Sequence, residues 1–338
     1  MAAALRVLNG GANGSESETK NSEMTVTFLG CGTLNTAILT GILSSLQEDA
    51  TSSSSSSAES STNVRTPSRF IACVRRPESA QRIQRAVQEY STPVTVLQNE
   101  NVKGVKAADV VILGCKPYMV EGVLAEKGIQ EALAGKLLVS ICAGVPVDQI
   151  GRALYGAEYP DHIHIHSNPC RIVRVMPNTA AMNRESMTVI ATSTPPLPSE
   201  LSAIVEWIFT RIGRVVHLPP SAMDASTALC GSGPAFCALM LESLVDGAVA
   251  MGIPRKEAQL MAAQTMRGTS AMVLAGEHPA FIREKVSTPG GCTIGGLLVL
   301  EEGAVRGTIS RSIREATVVA SELGKGVSNV NGTRFSRQ

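Results

Sequence analysis

The stretch MTVTFLGCGTLN, residues 24–35, decides the fold of the first half of the chain. Its first six residues are apolar or β-branched, which favours a short strand. Two glycines follow and predict a tight turn, and the next residues predict a helix to about Leu46. A strand, a glycine turn and a helix in this order are typical of a parallel sheet that carries helices on its faces.

Apolar strands continue this pattern as far as Leu218. They are predicted at 69–74, 94–97, 109–113, 137–141, 171–175, 187–191 and 215–218. Continuous apolar strands that alternate with helices indicate a parallel sheet covered on both faces. We therefore predict an α/β protein with an N-terminal Rossmann-like, doubly wound sheet at 24–218, whose ligands bind at the carboxyl ends of the strands.

The pattern changes after Pro219-Pro220. Helices, and no convincing strand, are predicted at about 222–251, 254–274, 278–285 and 293–323, with a bend at Gly231-Ser232-Gly233-Pro234. These helices are apolar over more than one face, and such helices seldom stand alone. The sequence predicts an all-α domain at 219–326 that buries surface against a second subunit.

Three segments have the composition of flexible chain: 1–23, the serine-rich insertion 47–68 and 327–338. Residues 1–23 lack the apolar core of a secretory signal and the Arg-rich, acid-poor composition of a mitochondrial presequence. A cytoplasmic location is therefore expected.

Charge and cysteine usage exclude several classes of function. The 30 basic residues are balanced by 29 acidic ones, so neither nucleic acid nor a membrane is expected as partner. No apolar run was expected to span a bilayer. The eight cysteines form no C-x-x-C pair, which favours reduced, buried thiols. His162, His164 and His166 alternate, but no carboxylate or cysteine completes a set of ligands, so an exposed loop or strand edge is favoured and no metal is expected.

The turn after the first strand has two of the three glycines of a dinucleotide-binding motif. Gly30 allows the chain to turn, and Gly32 allows the backbone to approach a pyrophosphate. Asn35 stands where a third Gly or Ala is usual, and we expect weaker packing between helix and strand there. The second strand ends in Arg75-Arg76, with no acid to hold a ribose 2′-hydroxyl. Arginines there favour NADPH over the alternative, NADH, unless they are simply solvated surface residues.

The run VSTPGGCTI, residues 286–294, lies between two predicted helices. A helix that starts near Thr293 leaves its first N–H groups unpaired, and such an end attracts anions such as a carboxylate. The alternative is an ordinary helix–helix turn, because turns also use Gly, Pro and Thr.

Four motifs in this order resemble the pyrroline-5-carboxylate reductase family, in its fungal form. They are the GCG turn at 30–32, GCKP at 114–117 with VMPNT at 175–179, GSGPA at 231–235, and the run 286–294. The resemblance covers about 24–324, outside the serine-rich insertion, and the sequence departs from the family at Asn35 and at Ala180.

The resemblance implies reduction of 1-pyrroline-5-carboxylate to L-proline with NAD(P)H, by a homodimer or a higher homo-oligomer such as a decamer. By matching positions, the implied cofactor contacts are Gly30, Gly32, Thr33, Leu34, Arg75, Arg76, Asn101, Lys116, Pro117, Ala143 and Gly144. The implied substrate contacts are Thr288, Gly291, Cys292 and Thr293. The N–H groups of Gly291 to Thr293 would hold the carboxylate, and the Thr293 hydroxyl is the candidate catalytic partner of the ring nitrogen.

Two alternatives remain open. A dehydrogenase of the β-hydroxyacid type needs a lysine on the interdomain helix, and residues 223–251 contain neither Lys nor Arg. A non-catalytic sensor of NADPH would have the same sheet but no need for the substrate loop.

Overall fold

The computed structural model describes residues 24–52, 66–161, 165–325 and 327. The predictions for 1–23, for most of the serine-rich insertion, for His162 and His164 and for nearly all of 327–338 lie outside the described residues.

The described part of the chain forms one eight-stranded sheet in the order β3-β2-β1-β4-β5-β6-β7-β8. The strands are β1 Met24–Leu29, β2 Pro67–Val74, β3 Val94–Gln98, β4 Val110–Leu113, β5 Leu137–Ser140, β6 Arg171–Met176, β7 Ser186–Ala191 and β8 Gly213–Leu218. Strands β1 to β6 are parallel. The order reverses between β1 and β4, and ligands of doubly wound sheets bind in the crevice at such a reversal. The predicted Rossmann-like half is confirmed.

The prediction of a wholly parallel sheet is wrong at one pair of strands. Strand β7 runs antiparallel to β6, with Val175 opposite Ile190. A short turn built on the 3-10 segment Thr179–Asn183 joins the two strands. A parallel partner needs a crossover of a dozen or more residues, which this connection does not provide.

Two apolar layers cover the sheet. Its helices are α1 Thr33–Ser52, α2 Pro77–Val87, α3 Asn101–Lys106, α4 Val120–Leu124, α5 Ile129–Leu133, α6 Val147–Tyr155 and α7 Ser199–Thr210. On one face Ile38 of α1 and Phe209 of α7 pack with Phe28, and on the other face Ile150 of α6 packs with Val111 and Leu138. These aliphatic layers fix the carboxyl ends of the strands along one edge.

Helix α1 is longer than predicted. It continues past Leu46 to Ser52, so the insertion begins later than residue 47. Glu48 and Asp49 in this extension form ion pairs with Arg184 and Arg211. These tertiary contacts hold a last turn that local sequence pattern does not favour.

The second half of the chain is helical, as predicted. It contains α8 Met223–Ser226, a π-helical turn Thr227–Gly231, α9 Gly233–Ala250, α10 Arg255–Leu274, α11 Pro279–Val286, α12 Cys292–Glu302 and α13 Val305–Gly324. The bend expected at 231–234 is the π turn, with Pro234 in the first turn of α9. The single helix predicted at 293–323 is wrong, because Gly303 and Ala304 interrupt it and Ala304 has a φ of 50°.

Much of this helical half is uncovered within one chain. Helix α13 packs on α8, on the π turn and on the 3-10 turn Pro117–Met119, whereas α9 packs on α10 and α12 on α13. Large apolar side chains face solvent, among them Leu239 (64% exposed), Leu260 (71%) and Val299 (66%). The helical run Pro220–Ala250 is long and apolar enough to cross a membrane, which corrects the expectation that no run could do so.

Candidate active site

The turn between β1 and α1 is open where a dinucleotide phosphate would lie. Gly30 has a φ of 79°, and a Cβ there would lie 3.0 Å from the backbone nitrogen of Cys115. A Cβ added at Gly32 meets nothing within 4 Å, and Thr33 is exposed. Helix α1 begins at Thr33, so its unpaired N–H groups point into this space. The turn therefore fits a pyrophosphate, as the sequence predicts.

Asn35 does not weaken the packing of this turn, contrary to expectation. Its side chain is 1% exposed, and its Nδ2 donates a hydrogen bond to the Gly30 carbonyl at 3.3 Å. A Cβ at Gly114 would overlap the Asn35 amide. The absence of a side chain at Gly114 makes room for the larger residue at position 35.

Arg75 and Arg76 lie at the carboxyl end of β2. Both are exposed, and neither guanidinium is paired with another described residue. Arg76 occupies the N-cap position of α2. The two positive charges are therefore free to meet a phosphate.

Asn101 begins α3 just beyond the carboxyl end of β3, the strand that pairs with β2. Its Nδ2 donates to the Glu126 carboxylate at 2.8 Å. The residue lies at the predicted edge of the sheet, but a ribose would have to share or replace this hydrogen bond.

The loops after β4 and β5 hold the remaining predicted cofactor residues. Lys116 is exposed, and Pro117 opens the 3-10 turn that contacts α13. Ala143 is half-buried beside them. Gly144 is different, because it is buried, and a Cβ there would overlap the Ala320 carbonyl of α13. Gly144 therefore packs closely against the last helix, and its contact with the nicotinamide stays a prediction.

The predicted substrate residues lie in the turn between α11 and α12. The Gly291 N–H donates to the Thr288 carbonyl at 3.0 Å, so a substrate carboxylate would have to share or replace this hydrogen bond. The first bond of α12 runs from the Gly295 N–H to the Gly291 carbonyl at 3.4 Å. The N–H groups of Cys292, Thr293 and Ile294 precede it and are the ones that a helix start leaves unpaired. These three N–H groups are therefore the ones that the loop leaves available to an anion.

Within one chain, the substrate loop faces solvent. Thr288 and Cys292 are exposed and Thr293 is half-buried. The flanking helices pack on other helices, α11 on α10 and α12 on α13. The structure thus gathers the cofactor residues along the edge of the sheet but leaves the substrate residues on a separate surface.

Two links between the halves of the chain were missed by sequence reasoning. Asn178, which is 8% exposed, donates from Nδ2 to the Cys230 carbonyl of the π turn at 3.0 Å. Its Oδ1 accepts a 3.0 Å hydrogen bond from the Ala180 N–H, which a proline at 180 could not donate. The buried Arg174 on β6 pairs with Asp224 on α8 at 2.8 Å. An arginine inside an apolar strand was the signal that could have revealed this second link.

Comparisons with known proteins agree with this division of the chain. Residues 220–323 match a family model described as pyrroline-5-carboxylate reductase dimerisation, and residues 25–144 match one described as NADP oxidoreductase coenzyme F420-dependent. The pyrroline-5-carboxylate reductase of Lophium arboricola is 59% identical over 94% of this chain and 98% of its own length. The Neurospora crassa enzyme of the same name is 51% identical over 93% of this chain and 97% of its own length.

Solved structures show the same fold. The pyrroline carboxylate reductase of Plasmodium falciparum with NADP bound is 22% identical, with a TM-score of 0.69, and the match covers 90% of this chain and 99% of that one. The 1-pyrroline-5-carboxylate reductase of Streptococcus pyogenes has the same TM-score of 0.69 at 23% identity, over 89% of this chain and 99% of that one.

Proposed function

The chain belongs to the pyrroline-5-carboxylate reductase family, and from this membership we infer that it reduces 1-pyrroline-5-carboxylate to L-proline, the last step of proline biosynthesis. The protein is an oxidoreductase that acts on an imine C=N bond. High identity to enzymes of this name along nearly the whole chain is the observation that carries the assignment.

NADPH is the cofactor, and when bound it supplies the hydride. The open turn at Gly30 to Thr33 would hold the pyrophosphate, because its glycines leave room and the start of α1 presents N–H groups. Arg75 and Arg76 would hold the 2′-phosphate, since both guanidinium groups are exposed and unpaired among the described residues. The loops after β4 and β5 would flank the nicotinamide.

The substrate carboxylate would bind at the start of α12. The N–H groups of Cys292, Thr293 and Ile294 point out of the helix end, and the partial positive charge of that end favours an anion. The Thr293 hydroxyl is the proposed hydrogen-bond partner of the ring nitrogen. These groups orient the imine carbon for reduction and do not themselves exchange electrons.

The complete site is proposed to need two subunits. Within one chain the substrate loop faces solvent, and the residues around it, such as Leu298 (58% exposed) and Val299 (66%), are apolar. The dimerisation model covers this same segment. A second copy that buried these side chains would bring its substrate loop to the cofactor edge of the first.

The same argument favours a partner subunit over lipid as the cover of Pro220–Ala250, because this run lies entirely within the dimerisation match. Association of dimers into a decamer and a cytoplasmic location complete the proposal. The proposed location rests on free, buried thiols such as Cys31, Cys73 and Cys170.

A direct assay tests the function. Purified protein is mixed with 1-pyrroline-5-carboxylate and NADPH, and the loss of nicotinamide absorbance is followed together with proline formation. Turnover that yields proline is the expected result. Binding of NADPH without its oxidation would instead support the non-catalytic sensor. Oxidation of NADPH only when the keto form of a β-hydroxyacid is added would support the dehydrogenase of the β-hydroxyacid type.

The role of Thr293 is tested separately. We expect Thr293→Val to lower kcat roughly tenfold to a hundredfold, because a hydrogen bond to a charged group is worth about 1.5–3 kcal/mol. NADPH affinity, measured by fluorescence titration, should stay unchanged, and Thr293→Ser should retain most of the activity. Thr308→Val, an exposed threonine on α13, is the matched control. An unchanged rate in Thr293→Val would remove this hydroxyl from the mechanism.

A further inference from the structure

Two cysteines stand side by side at the cofactor edge of the sheet. Leu113 of β4 pairs in register with Ser140 of β5, and Cys115 and Cys142 each follow two residues later. Neighbouring strands lie about 4.8 Å apart, within the Cα separation of about 4.4–6.8 Å that a disulfide requires. Both side chains belong to the same apolar layer of the sheet. The backbone therefore places the two thiols in position to be joined.

The contacts of the thiols confirm that they are adjacent. The Cys142 thiol donates to the Cys115 carbonyl at 3.4 Å and lies 3.5 Å from the Leu113 carbonyl. The neighbouring Cys142 thiol lowers the pKa of the Cys115 thiol. The neighbouring Cys115 thiol and burial together raise the pKa of Cys142 well above its usual range. Cys115 is partly exposed, whereas Cys142 is buried.

A peroxide-sensitive pair of cysteines needs such a difference in pKa and exposure between its two thiols. The thiolate is the form that attacks, so the more acidic and accessible Cys115 is the first to react. Other buried thiols lack this character, because desolvation raises the pKa of Cys31, Cys73 and Cys170 to about 12.

We propose that Cys115 and Cys142 form a reversible disulfide that switches the enzyme off when a peroxide is present. The Cys115 thiolate attacks one oxygen of hydrogen peroxide, the O–O bond breaks, and a sulfenic acid and hydroxide result. The Cys142 sulfur then attacks the Cys115 sulfur, the S–S bond forms as the S–O bond breaks, and the departing hydroxyl group takes the Cys142 proton and leaves as water. The two cysteines lose two electrons in total, and the peroxide is reduced to hydroxide and water.

The disulfide would act on the enzyme through the loops that it joins. A Cβ at Gly30 would lie 3.0 Å from the Cys115 nitrogen, so movement of Cys115 disturbs the phosphate turn. Lys116 and Ala143 are the next residues along the two loops. This effect on activity rests on the proposed function, because these loops matter for turnover only if they hold the cofactor. Displacement of a positioning loop lowers activity by about tenfold or more.

Peptide mapping tests the bond without any activity measurement. The full-length protein is treated with hydrogen peroxide, its remaining thiols are alkylated, and it is digested with trypsin without reduction. Trypsin does not cut before Pro117, so Cys115 lies in the peptide 107–127 and Cys142 in the peptide 137–152, each with a single cysteine. These two peptides should be recovered cross-linked, short of two hydrogens. Free thiols at both positions, separate oxidation, or bonds to other cysteines would overturn the proposal.

Activity measurements test the switch. Peroxide should lower the reductase rate about tenfold or more, and dithiothreitol should restore it. Cys115→Ser should keep the basal rate and lose the sensitivity, and Cys142→Ala provides a second variant should the first fold poorly. Cys237→Ser, an exposed cysteine on α9, is the control that stays sensitive. A disulfide that forms without loss of rate would refute the switch, whereas an absence of reductase activity in the untreated protein would refute the proposed function alone.

Discussion

At the scale of single residues, the proposed preference for NADPH depends on two side chains. Arg75 and Arg76 are exposed at the tip of β2, and no acid stands beside them in the sequence. A carboxylate there would bind a ribose 2′-hydroxyl and repel a 2′-phosphate. The arginines would therefore both attract NADPH and leave NADH without its usual partner.

Reversal of these charges should reverse the preference. We expect Arg75→Glu with Arg76→Glu to lower the ratio of kcat/KM for NADPH to that for NADH by roughly tenfold to a hundredfold, because charge-assisted hydrogen bonds are worth about 1.5–3 kcal/mol. Arg85→Glu, an exposed arginine in the last turn of α2, makes the same kind of charge change away from the strand tip and should leave the ratio unaltered. An unchanged ratio in the double variant would disprove the phosphate assignment.

Single residues were predicted well where the backbone decides their role and less well where distant contacts do. The glycine turn and the exposed arginines lie where sequence reasoning places them. Asn35 was misjudged because the space that it fills is made by Gly114, far away in the chain. The Gly291 N–H closes a turn onto Thr288, a contact that residue types alone do not reveal.

At the scale of elements, the last helix supports the two loops that are proposed to flank the nicotinamide. The backbones of Gly144 and Gly324 are so close that a Cβ on either would overlap the other segment. Helix α13 also packs on the 3-10 turn Pro117–Met119. One helix of the all-α half thus fixes two loops of the sheet.

A methyl group at this contact should separate helix and loop. We expect Gly324→Ala to lower the free energy of unfolding by about 1–3 kcal/mol, since overpacking forces the backbone to shift. Gly307→Ala lies on the same helix, where an added Cβ meets nothing within 4 Å. It should be neutral or stabilising by up to about 1 kcal/mol, because Ala favours a helix more than Gly does. Denaturant titration of both variants measures the difference, and equal stabilities would refute the close contact.

Helices and strands can be predicted from the sequence when nearby residues determine them. The strands and most helices lie close to their predicted positions, because periodicity and turn residues determine them. The direction of β7 depends on the length of the connection from β6, and the last turn of α1 depends on ion pairs with Arg184 and Arg211. The break at Ala304 requires a positive φ in a residue that otherwise favours helix, so composition gives no warning of it.

At the scale of the whole molecule, the exposed apolar surface of α9 and α10 indicates a missing partner. Leu239 and Leu260 are 64% and 71% exposed, in a segment that matches a dimerisation model. Large exposed apolar patches mark interaction sites. Sequence reasoning predicted this surface, but the pairing of two chains cannot be read from one.

A charge on this surface should prevent assembly. We expect Leu239→Asp and Leu260→Asp to shift the protein towards monomer in light scattering and to lower activity by about tenfold or more, as loss of an interface anchor does. Met182→Glu is the control, because Met182 is 58% exposed but lies outside the dimerisation match. Fully active monomers would show that the site is complete within one chain.

The separation of the substrate loop from the cofactor edge also has a genetic consequence. If each site joins the sheet of one chain to the loop of another, a copy defective at Arg75 and Arg76 and a copy defective at Thr293 carry complementary lesions. Co-expression of the two should restore about a quarter of the wild-type activity, since half of random dimers are mixed and one of their two sites is intact. Two alleles that each fail to support growth without proline should support growth when they are expressed together. An absence of growth in the co-expressing cells would place the whole site within one chain.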